Sequence, residues 1–592
     1  MSETEASRLP NGWIWTTIGE LVYLNPSWWN KELEDNDYVT FVPMAAVEAE
    51  SGRINASARK LWKEAKKGFT RFQERDVLFA KITPSMENGK FAVATNLPSG
   101  ISVGSTEFHV LRPVADIEPK FLLFFLLQKK FRQAARISMK GAAGQLRVPP
   151  EFLSQTKLPL PSSAEQRRII AEIEKHFTRL DAAVIELKRV QAKLKHYRAG
   201  ILQAACEGRL VPTEAKLAQA EGREYESADQ LLKRILKARR EKWEADQLSK
   251  MEAAGKPPQD DKWKDKYVEP VAAETSQLPE LPEGWKWVTV EQLVTKVQYG
   301  TSARTNEDSN GIPVLRMGNI QDGKLVFDQL KYLPRGHEEF PALFLELGDV
   351  LFNRTNSAEL VGKTALYSGS SKPFSFASYL IRVRLANDYV PSLFVYFLNS
   401  VLGRNWIKSV ATQVAGQANV NGSKLQALTI PLQPLAEQYR IVAEVERRFS
   451  IIDELEKNIE TSLKRAEVLR QQVLQDAFAG KLVAQDPIDE PASILLEKIK
   501  AERLQREAEE QAKRKGERKV VKKTVKKTSG ERRKIIDVLR EAENALTPEE
   551  LFREAGFKPE QVEEFYAELK TEEQSFDEDK RNNGEVYLTA KA

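Results

Sequence analysis

Two long segments of the chain place hydrophobic residues at steps of three and four, with charged residues between them. They follow Glu165 and Glu437, and their hydrophobic positions are Ile169, Ile173, Phe177, Leu180, Val184, Leu187, Leu194 and Ile201, and Ile441, Val445, Phe449, Ile452, Ile459, Leu469 and Val473. Such steps are typical of coiled-coil helices. The pattern predicts helices over residues 165–205 and 437–477. Because each helix leaves one apolar stripe to be covered, we expect the two to pack on each other, with pseudo-twofold symmetry if antiparallel.

Each long helix is preceded by a segment in which the apolar runs are short. Val-Leu-Phe runs begin at Val77 and Val350, and Gly, Pro and Asn residues separate such runs. This pattern predicts short strands and turns. We therefore expect two α/β domains with irregular sheets, over residues 1–157 and 281–429, and an α+β fold for the whole chain.

The chain is internally duplicated. LPNGWIWTTIGELV begins at Leu9 and LPEGWKWVTVEQLV at Leu281, 272 positions later. At the same spacing, LPLPSSAEQRRII at Leu158 matches IPLQPLAEQYRIV at Ile430, and GRLV at Gly208 matches GKLV at Gly480. DVLF occurs at Asp76 and Asp349, shifted by one more residue, which indicates a single insertion in the second copy. A repeat of this kind defines the architecture before any element is assigned.

The repeat also sets the expected domain boundaries outside the two globular parts. The long helices and their flanks are residues 158–212 and 430–484, a charged helical segment and linker is 213–280, a charged helix and basic tether is 485–534, and a small domain is 535–592. The prolines of residues 255–281 are typical of a linker into the second copy. The tether is expected to be solvated, because it is strongly basic.

The C-terminal region separates its charges into two blocks. Residues 513–534 hold twelve Lys and Arg against two Glu, whereas residues 535–592 hold sixteen acidic against seven basic residues. Three helices and a final strand are predicted after residue 535, which is the order of a small winged-helix domain. The third helix, EQVEEFYAELK, is acidic and would repel phosphates. We expect a protein-contacting or regulatory role for this domain, with any DNA affinity of the region in the basic tether.

Length and composition predict a multidomain chain in a reducing compartment. At 592 residues the chain exceeds the size of a single core. Its apolar runs are too short to span a bilayer, and the start MSETEASRLP is unlike a signal peptide. Cys206 is the only cysteine, so no disulfide framework is possible. These features predict a cytoplasmic protein without a membrane partner.

The combined motifs resemble one known family. Two halves, each with LPxGWxW, DVLF, PLPxxxEQxRI and GxLV elements, are similar to the specificity subunit of type I restriction-modification systems, over residues 9–484. The resemblance implies a phage-defence role in which each globular part is a target-recognition domain for one half of a bipartite site in double-stranded DNA. It further implies that the helices form the spacer and help to dock two adenine methyltransferase (M) subunits, joined for cleavage by translocase-nuclease (R) subunits.

The residues themselves indicate no chemistry in this chain. Asn25-Pro26-Ser27-Trp28 lacks the element that holds a flipped base in amino-methyltransferases, and the VGKT string at Val361 lacks the first glycine of a phosphate-binding loop. The four histidines, His109, His176, His196 and His337, have no metal-ligand spacing. No cofactor is therefore expected here, and the resemblance assigns S-adenosylmethionine, ATP and Mg to partner subunits. Two alternatives remain open: a self-contained DNA-modifying enzyme with an unrecognised active site, and a coiled scaffold that binds only proteins.

Candidate DNA-binding residues are forked or bidentate side chains in loops flanked by Gly or Pro, since these side chains read base edges. In the first domain they are Lys81, Asn88, Lys90, Gln145 and Arg147, and in the second Arg316, Asn319, Arg354, Asn356, Lys363, Gln417 and Asn419. The duplication matches Lys81 with Arg354, Lys90 with Lys363 and Gln145 with Gln417. These pairs are predicted to share a docking geometry, and unmatched loop residues to set the sequence preference.

Overall fold

The computed structural model describes residues 9–29, 32–56, 58–98, 100–114, 116–142, 144–256, 258–414, 416–527, 532–542, 544–580 and 586–591, with residues 414 and 510–527 described by their backbone alone. The first repeat contains, in order, β1 (Ile14–Thr17), α1 (Ile18–Leu21), β2 (Val22–Leu24), β3 (Tyr38–Val42), β4 (Arg59–Leu61), α2 (Trp62–Ala65), β5 (Thr70–Gln73), β6 (Val77–Ala80), β7 (Phe91–Val93), β8 (Ile101–Gly104), β9 (Phe108–Pro113), α3 (Pro119–Leu126), α4 (Lys129–Ser138), α5 (Pro150–Gln155), β10 (Lys157–Leu160), α6 (Ser163–Cys206), α7 (Glu214–Glu221) and α8 (Ala228–Ala253).

The second repeat follows the same plan with additional short strands. Its elements are β11 (Lys286–Thr289), α9 (Val290–Leu293), β12 (Val294–Tyr299), β13 (Ile312–Leu315), β14 (Ile320–Gln321), β15 (Lys324–Leu325), β16 (Lys331–Leu333), β17 (Val350–Asn353), β18 (Thr355–Asn356), β19 (Thr364–Leu366), β20 (Ser375–Phe376), β21 (Leu380–Leu385), α10 (Pro391–Asn399), α11 (Val401–Val410), β22 (Thr412–Val414), β23 (Gln417–Asn419), α12 (Gly422–Gln426), β24 (Thr429–Leu432), α13 (Leu435–Phe478) and α14 (Ala492–Lys527).

The globular parts are built from several small sheets, as the short apolar runs predict. In the first repeat, one sheet has the antiparallel order β2-β9-β6-β7 and a second has the order β4-β3-β8-β5. The sheet that corresponds to the former in the second repeat has the order β12-β21-β17-β19. The two DVLF segments form the central strands β6 and β17, which are buried along their whole length.

Both long helices lie where the hydrophobic steps predict them. Helices α6 and α13 each contain 44 residues, slightly more than the predicted spans. They begin directly after β10 and β24, strands that pair antiparallel with β1 and β11 and so close each globular part. Across the described residues, no helix is sufficiently long and apolar to cross a membrane.

The contacts divide the chain into two compact units. The first is Met1–Thr178 with Leu469–Ala592, and the second is Arg179–Val468. The first unit therefore contains one globular part, the start of α6, the end of α13 and all later residues. The second contains the other globular part, the rest of both long helices and the segment that joins the repeats.

Aromatic rings and arginines join the long helices within each unit. In the first unit, the guanidinium of Arg470 lies 3.9 Å from the ring centroid of Phe177. In the second, the guanidinium of Arg198 lies 4.8 Å from the ring centroid of Phe449 and forms an ion pair with Asp453 at 2.6 Å. Phe449 and Arg470 lie 272 positions after Phe177 and Arg198. The two contacts therefore use the same two positions of the repeat, with the arginine on α13 in the first unit and on α6 in the second.

The glycine of each GxLV motif packs against the proline that opens an LPxGW motif. Gly480 lies on the ring of Pro10, and Gly208 on that of Pro282, and a Cβ at either glycine would collide with the ring. Both glycines have a left-handed backbone, with φ of 65° and 70°. The end of the second repeat therefore closes onto the start of the first within the first unit, and the equivalent closure occurs within the second.

The charged helices dock on the same motifs. The backbone N–H of Ala492, at the start of α14, donates to the Gly12 carbonyl at 2.9 Å, and that of Ala228, at the start of α8, donates to Gly284 at 2.9 Å. Further along α14, the guanidinium of Arg506 stacks 3.0 Å from the ring centroid of Trp28. Both helices are thus fixed to the globular part of their own unit.

Two segments differ from the sequence-based expectation. Helix α14 continues to Lys527, so most of the predicted tether is helical; Lys, Arg and Glu favour helix and no proline interrupts the segment. Residues 528–531 of the tether lie outside the described part of the chain. The predicted linker, residues 255–281, is pinned to the second unit: Trp263 stacks on Trp243, and the Pro279 carbonyl accepts from the indole N–H of Trp287 at 3.0 Å.

The C-terminal region forms a small domain with its own core. Its elements are α15 (Ile535–Glu541), α16 (Pro548–Glu554), α17 (Val562–Thr571), β25 (Phe576–Lys580) and β26 (Val586–Ala590). The two strands pair antiparallel. The three predicted helices and the final strand are present, and β25 is a strand that the sequence pattern did not predict.

Candidate nucleic-acid interface

The motifs that the two repeat copies share form one hydrogen-bonded frame in each unit. The indole N–H of Trp13 donates to the Glu165 carboxylate at 2.9 Å, and that of Trp285 donates to Glu437 at 3.0 Å. Burial raises the pKa of both carboxyls, although the indole bonds oppose that rise. The LPxGWxW and PLPxxxEQ motifs are therefore two halves of the same contact, which ties the globular part to its long helix.

The glutamine of each EQ pair completes this frame. The side-chain oxygen of Gln166 accepts from the Glu118 backbone N–H at 3.1 Å, before α3, and that of Gln438 accepts from Val390 at 2.9 Å, before α10. The start of each long helix thus holds the start of a shorter helix that covers the sheet.

A buried aspartate that pairs with an arginine lies at the start of each DVLF strand. Arg112 forms two hydrogen bonds of 2.8 Å with Asp76, and Arg384 bonds both oxygens of Asp349 at 2.7 and 2.9 Å. Burial raises the pKa of Asp76, while its bonds with Arg112 oppose the rise. These pairs join β6 to β9 and β17 to β21, so the far ends of β6 and β17 are rigidly placed. Lys81 and Arg354 follow those ends.

In the first unit, two of the candidate residues, Lys81 and Arg147, both bond Glu107. Arg147 donates from Nε and Nη2 to the two oxygens of Glu107, at 2.9 and 2.8 Å. The backbone N–H of Lys81 donates to the Glu107 carbonyl at 2.9 Å. The bonds from Arg147 lower the pKa of Glu107, and burial lowers the pKa of Lys81. The cluster of Lys81, Glu107 and Arg147, here called the first site, is therefore a charged surface with two cations and one anion.

The other candidates of the first unit differ in exposure and in hydrogen bonding. Gln145 is exposed, and its carbonyl accepts from Nη1 of Arg147 at 3.0 Å. Asn88 is exposed in the loop after β6. The ammonium of Lys90 donates to the Met44 carbonyl at 3.1 Å, so in this structure it supports a neighbouring loop.

In the second unit, four candidates lie on or next to a sheet with the order β18-β23-β22. Asn356 is on β18, whereas Gln417 and Asn419 are on β23. Arg354 directly precedes β18, and its guanidinium lies 4.7 Å from the ring centroid of Tyr299. The side-chain N–H of Asn419 donates to the Thr355 hydroxyl at 2.6 Å. The sheet therefore presents one stacked guanidinium and several amides.

The three remaining candidates of the second unit are placed differently. The Asn319 amide is buried and bonds the Arg316 N–H and two carbonyls of its own loop, so its hydrogen-bonding groups serve the loop. Arg316 donates to the Gln329 carbonyl at 2.8 Å. Lys363 is half-buried in the turn that leads to β19. This turn holds the VGKT string and continues as a strand, as expected for a loop of the globular part.

The two units share this arrangement down to the register of the strands. In the first, Arg147 bridges to Ile82 and to Lys140, and in the second Asn419 pairs with Thr355 and Thr412. The N–H of Arg354 donates to the Tyr379 carbonyl at 2.9 Å, as that of Lys81 does to Glu107. Arg354, Tyr379 and Asn419 are therefore the second site, the counterparts of Lys81, Glu107 and Arg147.

Sequence reasoning missed Glu107 and Tyr379. Neither is a typical forked cation or amide, and neither is next to a glycine or proline. The signal that marks them is their position: each directly precedes the strand that pairs with the DVLF strand, at the repeat spacing of 272.

No metal-binding group was found in the described part of the chain, in the sense of three or more His, Cys, Asp or Glu side chains placed to share an ion. His109 is buried, with one ring nitrogen 3.0 Å from the Asn25 amide and the other 2.9 Å from the Val148 carbonyl. Burial lowers the pKa of His109, so its ring serves as a neutral structural bridge near neutral pH.

The chain is similar in sequence to known proteins of one family. The family model of the type I restriction modification DNA specificity domain matches residues 10–192 and 282–465. The chain is 26% identical to the EcoEI type I restriction enzyme specificity subunit of Escherichia coli, over 77% of this chain and 80% of the relative. It is 24% identical to the EcoKI specificity subunit of Escherichia coli K12, over 84% and 97%.

A solved structure has the same fold. It belongs to a type I R-M system studied for complex assembly and conformational transition, and it matches 80% of this chain and 99% of its own with a TM-score of 0.57 and 19% identity. The matched segments 10–192 and 282–465 are the two repeats. The duplicated frame, the duplicated sites and the family match agree, and the chain belongs to the type I restriction-modification DNA specificity family.

Proposed function

We propose that this chain reads a bipartite site in double-stranded DNA for a type I restriction-modification complex and performs no chemistry itself. The duplicated sites carry this proposal: one frame presents Lys, Glu and Arg in the first unit and Arg, Tyr and Asn in the second. A shared frame gives both units the same docking geometry, and different side chains at matched positions give them different base preferences. Each unit would therefore bind one half-site.

The residues proposed to contact DNA are those that present polar groups on the two sites or in the loops beside them. They are Lys81, Asn88, Gln145 and Arg147 in the first unit, and Arg316, Arg354, Asn356, Lys363, Gln417 and Asn419 in the second. Lys90 is proposed as a positioning residue, because its ammonium already bonds the Met44 carbonyl. Asn319 is proposed to shape its loop, because its amide is buried and fully bonded.

The long helices are proposed to pair as an antiparallel coiled coil with pseudo-twofold symmetry. The exchange of Arg and Phe between the pairs Arg470–Phe177 and Arg198–Phe449 supports this arrangement, since a twofold axis would convert one pair into the other. The small C-terminal domain is proposed to be of the winged-helix type, because three helices precede its two-stranded hairpin.

The chemistry of the complex is proposed to come from partner subunits. Two M subunits would bring S-adenosylmethionine, and R subunits would bring ATP and Mg. The proposal places the complex in the cytoplasm. The EcoEI and EcoKI relatives are named as specificity subunits, which supports assigning specificity to this chain and chemistry to its partners.

A domain exchange tests the function. Residues 1–150 are replaced by the same region of another family member, the variant is expressed with its partners, and methylated adenines are mapped across the host genome. We expect one half-site to change and the other to remain. A change of both halves would contradict two modular readers.

Two further measurements test the alternatives. Purified chain incubated with S-adenosylmethionine, ATP and DNA should give no turnover, and turnover would favour a self-contained enzyme. The full chain should bind its own duplex more tightly than a scrambled one, with an affinity that falls as salt rises. Failure to bind any duplex would favour a protein-only scaffold.

A further inference from the structure

The first site holds the Arg147 guanidinium in one orientation. Its Nε and Nη2 are directed at both oxygens of Glu107, and Nη1 donates to the Gln145 carbonyl. A guanidinium carries five N–H groups. These bonds occupy three of them, and one N–H on each of Nη1 and Nη2 has no hydrogen-bond partner among the described residues.

Nη1 and Nη2 together form the end-on edge of the guanidinium, and the N–H that remains on Nη2 lies on that edge, because the edge formed by Nε and Nη2 is directed at Glu107. An arginine fork of this kind matches the O6 and N7 acceptors of guanine in the major groove, the commonest specific arginine contact. A long side chain that is mobile before binding loses rotamer freedom when it is ordered at the interface, and this loss lowers the affinity. Glu107 removes much of that freedom beforehand, because two parallel bonds fix both the position and the plane of the guanidinium.

The ion pair is exposed enough to meet DNA. The side chains of Arg147 and Glu107 are 40% and 23% exposed. A carboxylate on a DNA-binding surface repels phosphates, so its presence there needs a compensating role. Glu107 has such a role if it orients Arg147, and the guanidinium of Arg147 neutralises the charge of the Glu107 carboxylate.

We propose that Glu107 is a specificity-determining positioning residue, which holds Arg147 so that the first unit requires guanine at one position of its half-site. This inference rests on the proposed function. At the matched positions the second unit has Tyr379 and Asn419, so it lacks the guanidinium and the carboxylate, and its half-site should not depend on such a pair.

The test uses the complete complex in its host, with methylated adenines mapped across the genome. The wild-type strain comes first, because absence of a bipartite motif there would contradict the proposed function and not only this inference. Variants Glu107→Ala and Arg147→Lys are then compared. Lysine keeps the charge but loses the fork.

We expect both variants to relax one guanine position of the first half-site, with discrimination against other bases reduced about tenfold or more. The second half-site should stay unchanged, which also shows that the variant chain is folded and assembled. Glu118→Ala is the matched control, because it removes a carboxylate that is 24% exposed and pairs with Arg167 at 3.0 Å outside the site, and it keeps the backbone N–H that bonds Gln166; its motif should equal that of the wild type.

Three outcomes would overturn the inference. These are an unchanged motif in Glu107→Ala, a relaxed position in the second half-site, and weaker methylation at all sites with the motif intact. If a variant abolishes methylation, competition binding of the purified full-length chain with duplexes altered at each position decides instead. Equal losses on all duplexes would then assign Arg147 to a phosphate.

Discussion

The two tryptophans of the first LPxGWxW motif have different surroundings. Trp13 is 6% exposed and bonds Glu165, whereas Trp15 is 51% exposed. We predict that Trp13→Phe lowers the free energy of unfolding by about 1–3 kcal/mol, because a buried carboxylate loses its donor. Burial raises the pKa of Glu165 above its ordinary value, and protonation removes the charge that Trp13→Phe leaves unpaired. The loss of unfolding free energy should therefore shrink as pH falls through that pKa.

Trp15→Phe is the matched control for this prediction, since it makes the same substitution in the same motif. Its effect should stay within about 0.5 kcal/mol, as is usual at exposed positions. Denaturant unfolding of both full-length variants, at neutral and at acidic pH, provides the measurement. Equal losses in the two variants would show that the indole bond to Glu165 contributes nothing.

Arg354 gives a second prediction at this scale. Its guanidinium is stacked on Tyr299, and the position that matches Glu107 holds Tyr379, which is not a carboxylate. Arg354→Gln should relax or abolish reading of the second half-site, at about 1–3 kcal/mol for one base contact. Competition binding on matched and altered duplexes measures this cost. A uniform loss on all DNA with a shallower salt slope would instead identify a phosphate contact.

Residue types alone identified part of the two sites. Arg147 and Arg354 could be predicted, because forked cations in loops are typical of base readers. Glu107 could not, since a lone carboxylate has no such signature and becomes meaningful only through its bonds with Arg147. Asn319 stays a prediction: its type and loop fit a base reader, and tertiary packing buries the amide.

At the scale of elements, the regular segments were predictable and the irregular ones were not. The hydrophobic steps of α6 and α13 repeat over many turns, so their bounds follow within a few residues. The strands of the globular parts are two to six residues long and pair across long loops. Their partners depend on tertiary contacts such as Arg112 with Asp76, which no local pattern contains.

The length of the long helices predicts the spacing of the half-sites. Each has 44 residues, which is about 66 Å at about 1.5 Å per residue. If paired helices act as a rigid rod, adding four residues lengthens it by about 6 Å, or one to two base pairs at about 3.4 Å each. We predict that matched insertions after Leu187 and Ile459 increase the unread spacer accordingly.

Methylation mapping of the insertion variants measures that spacer directly. A seven-residue insertion preserves the heptad register and is the safer variant, with a longer spacer still expected. If both half-sites are read and the spacer is unchanged, the helices do not set the distance.

At the scale of the whole molecule, we expect the C-terminal domain to be separable from DNA recognition. It has its own hydrophobic core, and Arg532, just before it, pairs with Glu568 at 2.7 Å. We predict that deletion of residues 535–592 leaves both half-sites unchanged, because neither site uses a residue of this domain. Methylation mapping of the truncated chain is the measurement, and loss of half-site specificity would contradict it.

The closure of Gly480 onto Pro10 and of Gly208 onto Pro282 gives the fold a circular topology. The first unit therefore combines the start of the first repeat with the end of the second. A circular permutant opened near Gly255, with the end of α14 joined to Leu9 by a flexible linker, should still read both half-sites, and methylation mapping would show this. Gene rearrangements would then exchange the order of the two globular parts without altering the DNA site, whereas selective loss of the first half-site in the permutant would contradict this prediction.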